Sequence, residues 1–125
     1  MEKVRILILH GTNMVELQAI YQMAEVMVYP SFFEGFGLPV LEAQASGCPV
    51  ITSDISSMPE AGGEGALYID PYNSTEIGAA IRKVLANDEI RKELIRKGTE
   101  NAALFSEQIV AEKLMSLYQS LVTQK

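Results

Sequence analysis

The sequence has one cysteine, one histidine, and fewer cations than anions, with 10 lysines and arginines against 16 aspartates and glutamates. A single cysteine, Cys48, excludes an internal disulfide bond and provides no ligand spacing for a zinc site. The net charge is −6, and neither a basic stripe nor a ladder of aromatic residues between cations is present. Nucleic acid and an anionic membrane are therefore poor candidates for a direct partner.

Long apolar runs are also missing. No stretch reaches the ~20 apolar residues that a membrane-spanning helix needs, and the first residues lack the pattern of a secretory signal peptide. We therefore expect a cytoplasmic protein. The 125 residues can form one domain, and the apolar content of 48 % is ordinary for a globular α/β domain.

Four short apolar runs alternate with helical patterns in the first part of the chain. They cover residues 4–9, 26–29, 49–52 and 66–69. Each is continuously apolar, as parallel strands covered on both faces are. The sequence therefore predicts a Rossmann-like parallel sheet of about four strands with helices on both faces, and such sheets bind ligands beyond the carboxyl ends of their strands.

The remainder of the chain is predicted to be a helical tail. Asn73 with Glu76 forms a candidate capping box for the first of its helices. Asn87 begins a second helix, which is expected to weaken at Gly98, and Ser106 begins a third.

Between the second and third apolar runs lies a glycine-rich bend flanked by Glu34 and Glu42. Pro39 suits the first turn of a helix, because it has no N–H and a fixed φ, and Gly47 is expected to end that helix with a left-handed conformation. Free backbone N–H groups at such a helix start bind anions such as phosphate. A carboxylate can accept two hydrogen bonds from a vicinal diol. The bend therefore predicts a sugar nucleotide as the ligand.

Two further features suggest functional motifs but have simpler structural explanations. Cys48 lies between Gly47 and Pro49 at a helix-to-strand turn, which favours a buried and unreactive thiol. The Gly-Gly-Glu-Gly run at residues 62–65 has no following lysine and serine or threonine and precedes a strand, so a plain turn is predicted in place of a phosphate loop.

With these residues in view, the chain closely resembles the donor-binding domain of family-4 retaining glycosyltransferases with the GT-B fold. The resemblance extends from about residue 4 to about residue 118. It depends on Pro30-Ser31, on the Gly-Phe-Gly-Leu-Pro core at residues 35–39, on Gly-x-Pro-Val at residues 47–50, and on Pro59-Glu60.

The resemblance implies a role for each residue of the bend. Glu34 is implied as the catalytic residue that contacts hydroxyls of the donor sugar, and Glu42 as the residue that binds the ribose hydroxyls. The backbone amides of the turn are implied to meet the sugar and the diphosphate, and they belong to Gly35, Phe36, Gly37 and Leu38. A weaker assignment places His10, Gly11 and Thr12 in the wall around the nucleotide base. The family uses no metal, so no metal ligand and no cofactor beyond the nucleotide sugar is expected.

The resemblance also implies segments that this sequence does not contain. These are an amino-terminal acceptor domain and two strands that open the donor domain, with an arginine and a lysine that offset the diphosphate charge. We therefore expect residues 1–125 to be an incomplete donor domain that is inactive alone. Residues 4–9 would then either pair with residues 26–29 or leave an apolar edge through which the chain forms a homodimer.

Two other functional classes remain as alternatives. The chain could be a stand-alone, non-catalytic module that binds a nucleotide sugar or mediates assembly. A Rossmann dehydrogenase is disfavoured, because no Gly-x-Gly-x-x-Gly follows the first apolar run.

Overall fold

The computed structural model describes residues 4–123 of the chain. Its strands are β1 (Met27–Tyr29), β2 (Val50–Ser53) and β3 (Ala66–Ile69). Its helices are α1 (Met14–Met23), α2 (Leu38–Ala45), α3 (Met58–Gly62), α4 (Ser74–Ala86), α5 (Asp88–Ala103) and α6 (Glu107–Thr123). A short 3₁₀ turn, Gly63–Gly65, joins α3 to β3, in agreement with the plain turn predicted for this glycine-rich run. The ends of the predicted domain, residues 1–3 and 124–125, lie outside the described residues.

The three strands form one parallel sheet in the order β1-β2-β3. Val28 lies beside Ile51, and Ile51 lies beside Leu67. Helix α2 connects the first two strands, and α3 with the 3₁₀ turn connects the second and third. The predicted α/β architecture with a parallel sheet is therefore confirmed.

Side chains alternate between two hydrophobic clusters on opposite faces of the sheet. One cluster contains Val50 and Ala66 from the sheet together with Val40 and Ala43 from α2. The other contains Ile51 and Ile69 with residues of α4 and α5 such as Val84 and Leu94. Successive side chains of a strand point to opposite faces, so these continuously apolar strands are covered on both sides.

The prediction of a strand at residues 4–9 is wrong. In the structure this segment has no regular secondary structure, and Val4, Ile6, Leu7, Ile8 and Leu9 are 60–88 % exposed. Apolar composition favours a strand, but a strand also needs a neighbouring backbone for its N–H and C=O groups. In the described part of the chain the sheet consequently has three strands where about four were expected. Dimerisation through an exposed strand edge stays a prediction.

The carboxyl-terminal helices start where the capping residues indicate. The side-chain oxygens of Asn73 and Asn87 accept the amides of Glu76 and Ile90 at 3.0 and 3.1 Å. Helix α5 does not weaken at Gly98, contrary to expectation, and continues to Ala103. None of the helices within the described range is long and apolar enough to cross a membrane.

Cys48 is buried just before β2, as predicted, with 2 % of its surface exposed. Burial raises the pKa of its thiol to about 11, against a smaller opposing effect of a backbone hydrogen bond at Met27. We expect a thiol reagent at about pH 8 to label the native protein far more slowly than the denatured protein, because the thiolate is the reactive form. Labelling rates followed by absorbance test this, and rapid labelling of the native protein would contradict it.

The same pKa has a consequence for stability. The thiol of the unfolded chain ionises near the ordinary value of 9.0, whereas the buried thiol holds its proton to about 11. The protonated thiol therefore contributes its full stabilisation at a pH below 9.0, the pKa in the unfolded chain. This contribution is lost as the pH rises through the pKa of about 11 in the folded protein.

Candidate functional site

The bend that the sequence singled out lies between β1 and α2, at the carboxyl end of β1. The amide of Leu38 donates to Phe36 O at 2.9 Å, and Val40 N donates to Gly37 O at 3.1 Å. Within residues 4–123 the amides of Gly35, Phe36 and Gly37 have no acceptor. Three consecutive amides are thus available to an anion, while the amide of Leu38 is already engaged.

The two glycines of the bend differ in their surroundings. A Cβ at Gly37 would lie 2.8 Å from Met58 Cε and 3.0 Å from Ala61 Cβ, so α3 packs directly against this backbone. A Cβ at Gly35 would meet nothing within 4 Å. Gly37 is therefore required for packing, whereas Gly35 leaves open space beside its amide.

Glu34 is held at both its side chain and its backbone. Its carboxylate oxygen Oε1 accepts from Tyr29 OH at 2.5 Å and from Ser31 Oγ at 3.2 Å. Its carbonyl accepts from Ser56 Oγ at 3.1 Å and from Ser57 Oγ at 2.9 Å, and its amide donates to Ser56 Oγ at 3.3 Å. The hydroxyl groups of the loop after β2 therefore fix where the bend begins.

Ser56 adopts a positive φ of 59°, which is uncommon for a residue other than glycine. A left-handed backbone costs an ordinary residue roughly 1–2 kcal/mol. Here the strained residue is the one that bonds both the amide and the carbonyl of Glu34. Strain of this kind is concentrated at ligand sites, where the surrounding structure maintains it.

Glu42 lies on α2 and faces a cavity of about 250 Å³ between α1 and α2. The cavity is lined by Met14, Leu17, Gln18 and Tyr21 from α1 and by Glu42 and Ala45 from α2. Burial, followed by the nearby charge of Glu42, raises the pKa of Tyr21. A carboxylate at the rim of a mainly apolar cavity is suited to a ligand that has a flat apolar part and adjacent hydroxyls.

A tyrosine lies near each of the two glutamates, Tyr29 near Glu34 and Tyr21 near Glu42. The hydrogen bond to Glu34, with additional burial, raises the pKa of Tyr29 to about 12, and Tyr21 contributes a small part of that shift. Tyr21 in turn is influenced by Glu42. Both phenols are therefore neutral hydrogen-bond donors at ordinary pH.

A second concave surface of about 620 Å³ lies between α2 and the end of α5. Leu38, Leu41 and Glu42 contribute from α2, and Ala102 and Ala103 from α5. The ring of Phe36 contacts that of Phe105 at a centroid distance of 5.5 Å, which ties the bend to this end of α5. Glu42 thus borders both concave surfaces.

The residues expected to form the wall around the nucleotide base do not line the cavity between α1 and α2. His10, Gly11 and Thr12 are exposed, precede α1, and are not among the residues that line it. Their role stays a prediction. In the described portion of the chain no three side chains of histidine, cysteine, aspartate or glutamate are grouped so that they could hold a metal ion.

Sequence reasoning missed the residues that hold Glu34, chiefly Tyr29, Ser31, Ser56 and Ser57. The hydroxyl-rich run that follows the buried strand β2 could have indicated a loop that hydrogen-bonds to a neighbour. No local sequence pattern identifies Glu34 as the hydrogen-bond partner of Tyr29, because this hydrogen bond forms only when the bend folds back over the end of β1.

Comparisons with known proteins show which family this chain is similar to. The profile of the family described as "Glycosyl transferases group 1" matches residues 3–101. The chain is 38 % identical over 106 residues to O-antigen chain mannosyltransferase B of Escherichia coli, a match that covers 85 % of this chain and 28 % of that protein. It is 36 % identical over 108 residues to D-inositol 3-phosphate glycosyltransferase of Corynebacterium jeikeium, covering 85 % of this chain and 26 % of the relative. The chain thus spans about a quarter of the length of the curated relatives it matches.

The chain is also similar to solved structures. Sucrose-phosphate synthase from Thermosynechococcus elongatus superposes with a TM-score of 0.76 at 32 % identity, over 88 % of this chain and 29 % of that one. The C-terminal domain of a glycosyl transferase group 1 family protein from Francisella tularensis superposes with a TM-score of 0.64 at 27 % identity, over 78 % of this chain and 50 % of that one.

Proposed function

The chain belongs to the glycosyl transferases group 1 family, and from this membership we propose that it is the donor-binding part of a transferase. The complete protein moves a sugar from a nucleotide diphosphate sugar to an acceptor. Its family-4 assignment and retention of the anomeric configuration are part of the proposal, as is a cytoplasmic location. The likeness to the C-terminal domain of a family member supports the assignment of residues 1–125 to the donor side.

The observation that carries the proposal is the row of free amides at Gly35, Phe36 and Gly37, between Glu34 and Glu42. Backbone N–H groups followed at once by the start of α2 suit a diphosphate, because the amides and the helix dipole both favour negative charge. They require no metal to stabilise the charge that develops as the diphosphate leaves. The proposed mechanism is therefore metal-free.

The two glutamates receive separate tasks. Glu42 borders the cavity between α1 and α2 and is assigned the ribose hydroxyls, with the base directed toward the apolar side chains of α1. Glu34 precedes the amides and is assigned the sugar hydroxyls. The proposal assigns residues 1–125 to donor binding and places no acceptor site on them. We therefore expect this segment alone to bind the donor without transferring the sugar.

Calorimetric titration of the complete protein with UDP-, GDP- and ADP-sugars tests this assignment. We expect one nucleotide to bind, and Glu42→Gln to weaken that binding by about tenfold or more, because a hydrogen bond to a charged group contributes roughly 1.5–3 kcal/mol.

Glu89→Gln is the matched control, since Glu89 is exposed in the first turn of α5 and lines neither concave surface. It should bind the nucleotide as the parent does. Absence of binding for every nucleotide sugar, or equal affinities for the parent and Glu42→Gln, would overturn the assignment.

A further inference from the structure

Two hydroxyl groups donate to the carboxylate of Glu34, that of Tyr29 in β1 and that of Ser31 in the bend, and the bond from Tyr29 is the stronger one. Ser31 Oγ has one hydrogen and two acceptors, Phe33 O at 3.1 Å and Glu34 Oε1 at 3.2 Å, so its bond to the carboxylate is shared. Tyr29 OH reaches the same oxygen at 2.5 Å. The phenol is therefore the main partner of Oε1.

Tyr29 itself is positioned by the core. Its ring packs against the cluster that contains Val40, Ala43 and Met58. Its carbonyl accepts from Thr52 Oγ1 at 2.8 Å, within the sheet. An aromatic side chain has few rotatable bonds, so a packed ring presents its hydroxyl at a defined point.

The second oxygen of Glu34 has a different environment. No residue within the described range donates a hydrogen bond to Oε2, and the side chain is only partly buried. A carboxylate with one oxygen occupied and the other available presents a single, oriented acceptor.

We propose that Tyr29 is a positioning residue for the donor sugar: its hydroxyl holds Oε1 of Glu34 and thereby aims Oε2 at a sugar hydroxyl. This inference rests on the function proposed above and assigns the orientation of the carboxylate to Tyr29. The phenol does not touch the sugar, and it acts through Glu34. The high pKa of Tyr29 keeps its hydroxyl protonated at neutral pH, so the hydrogen-bond donor is present there.

The test uses Tyr29→Phe in the complete protein, which removes the hydroxyl and keeps the ring that packs in the core. We expect kcat to fall roughly tenfold, because small displacements of a reacting group have large effects on rate. The dissociation constant of the free nucleoside diphosphate should not change, since that ligand lacks the transferred sugar that Glu34 is proposed to contact. In a Glu34→Gln background the same change should cause no further loss.

Tyr68→Phe is the matched control. Tyr68 OH also makes a short hydrogen bond, to Gly63 O at 2.6 Å, and burial raises the pKa of Tyr68 to about 12. Removing the hydroxyl of Tyr68 should lower the melting temperature and leave kcat unchanged. This control distinguishes a positioning role of Tyr29 from a general effect on stability.

The bond between Tyr29 and Glu34 also has a readout that needs no activity. In ¹³C NMR of ζ-labelled tyrosine, Glu34→Gln should lower the pKa of Tyr29. Parental kcat in Tyr29→Phe, an additive loss in the double variant, or a Tyr29 titration that ignores Glu34 would overturn the inference. A protein that binds no nucleotide sugar but keeps the Tyr29 shift would instead overturn the proposed function, and with it the role of Tyr29.

Discussion

Gly65→Ala should lower the free energy of unfolding by roughly 3 kcal/mol, because the new methyl group overpacks the contact between the 3₁₀ turn and α5. A Cβ at Gly65 would lie 2.4 Å from Gly98 Cα and 2.5 Å from Gly98 N, both of them backbone atoms of α5. It would also lie 2.9 Å from Gln44 Nε2. Backbone atoms of a helix cannot shift without moving the whole helix, so no side-chain rotation relieves the clash.

The contact between Gly65 and Gly98 is supported by buried amide groups. Gln44 Nε2 donates to Gly62 O at 2.9 Å, and Asn101 Nδ2 lies 2.8 Å from Gln44 Oε1 and 2.7 Å from Ala61 O. Displacing α5 would remove Asn101 from Gln44 Oε1 and Ala61 O, and a buried acceptor left without a partner costs about 1–3 kcal/mol. Gln44 is on α2, the helix that also carries Glu42.

Urea unfolding followed by circular dichroism measures the effect. Gly35→Ala is the matched control, since a Cβ there meets nothing within 4 Å. It should unfold at nearly the parental urea concentration. Equal midpoints for Gly65→Ala and Gly35→Ala would contradict the close approach of the turn to α5.

Glu34→Gln is expected to reduce kcat of the complete protein by about 10- to 100-fold, which corresponds to the loss of one hydrogen bond to a charged group. The amide that replaces the carboxylate has one oxygen, and Tyr29 OH and Ser31 Oγ both donate to that position. The other position then carries an NH₂ group, which cannot accept from a sugar hydroxyl. The negative charge that the proposal places near the reacting sugar is lost as well.

Kinetics with the nucleotide sugar identified by calorimetry distinguish the two glutamates. Glu34→Gln should lower kcat with little change in affinity for the nucleoside diphosphate, whereas Glu42→Gln should chiefly weaken that affinity. A variant carrying both substitutions that transfers sugar at the parental rate would show that neither assignment is correct.

Local sequence patterns predicted the elements that local chemistry controls. Asn73 and Asn87 cap the helices they were expected to cap, and Gly47 ends its helix with a φ of +76°. These conformations depend on a residue and its immediate neighbours in the chain, so composition and spacing are sufficient to find them.

Two expectations failed because they depended on distant partners. Residues 4–9 have the composition of a strand, but a strand forms only where another backbone is available to pair with it. Gly98 has low helix propensity, yet α5 continues through it and packs tightly there: a Cβ at Gly98 would lie 3.1 Å from Gln44 Cγ, and a Cβ at Gly65 would lie 2.4 Å from Gly98 Cα.

The turn residues and the apolar runs specify locally where a strand gives way to a glycine bend and a helix, so the two carboxylates that border this bend could be identified from the sequence. How the carboxylate of Glu34 is held depends on contacts between distant segments of the fold. Tyr29 reaches Glu34 through the fold of the bend over the strand end, and Ser56 and Ser57 reach it from the loop after the neighbouring strand. Hydrogen bonds between segments depend on the relative placement of strands and loops, which the packing of α2 and α3 on the sheet establishes.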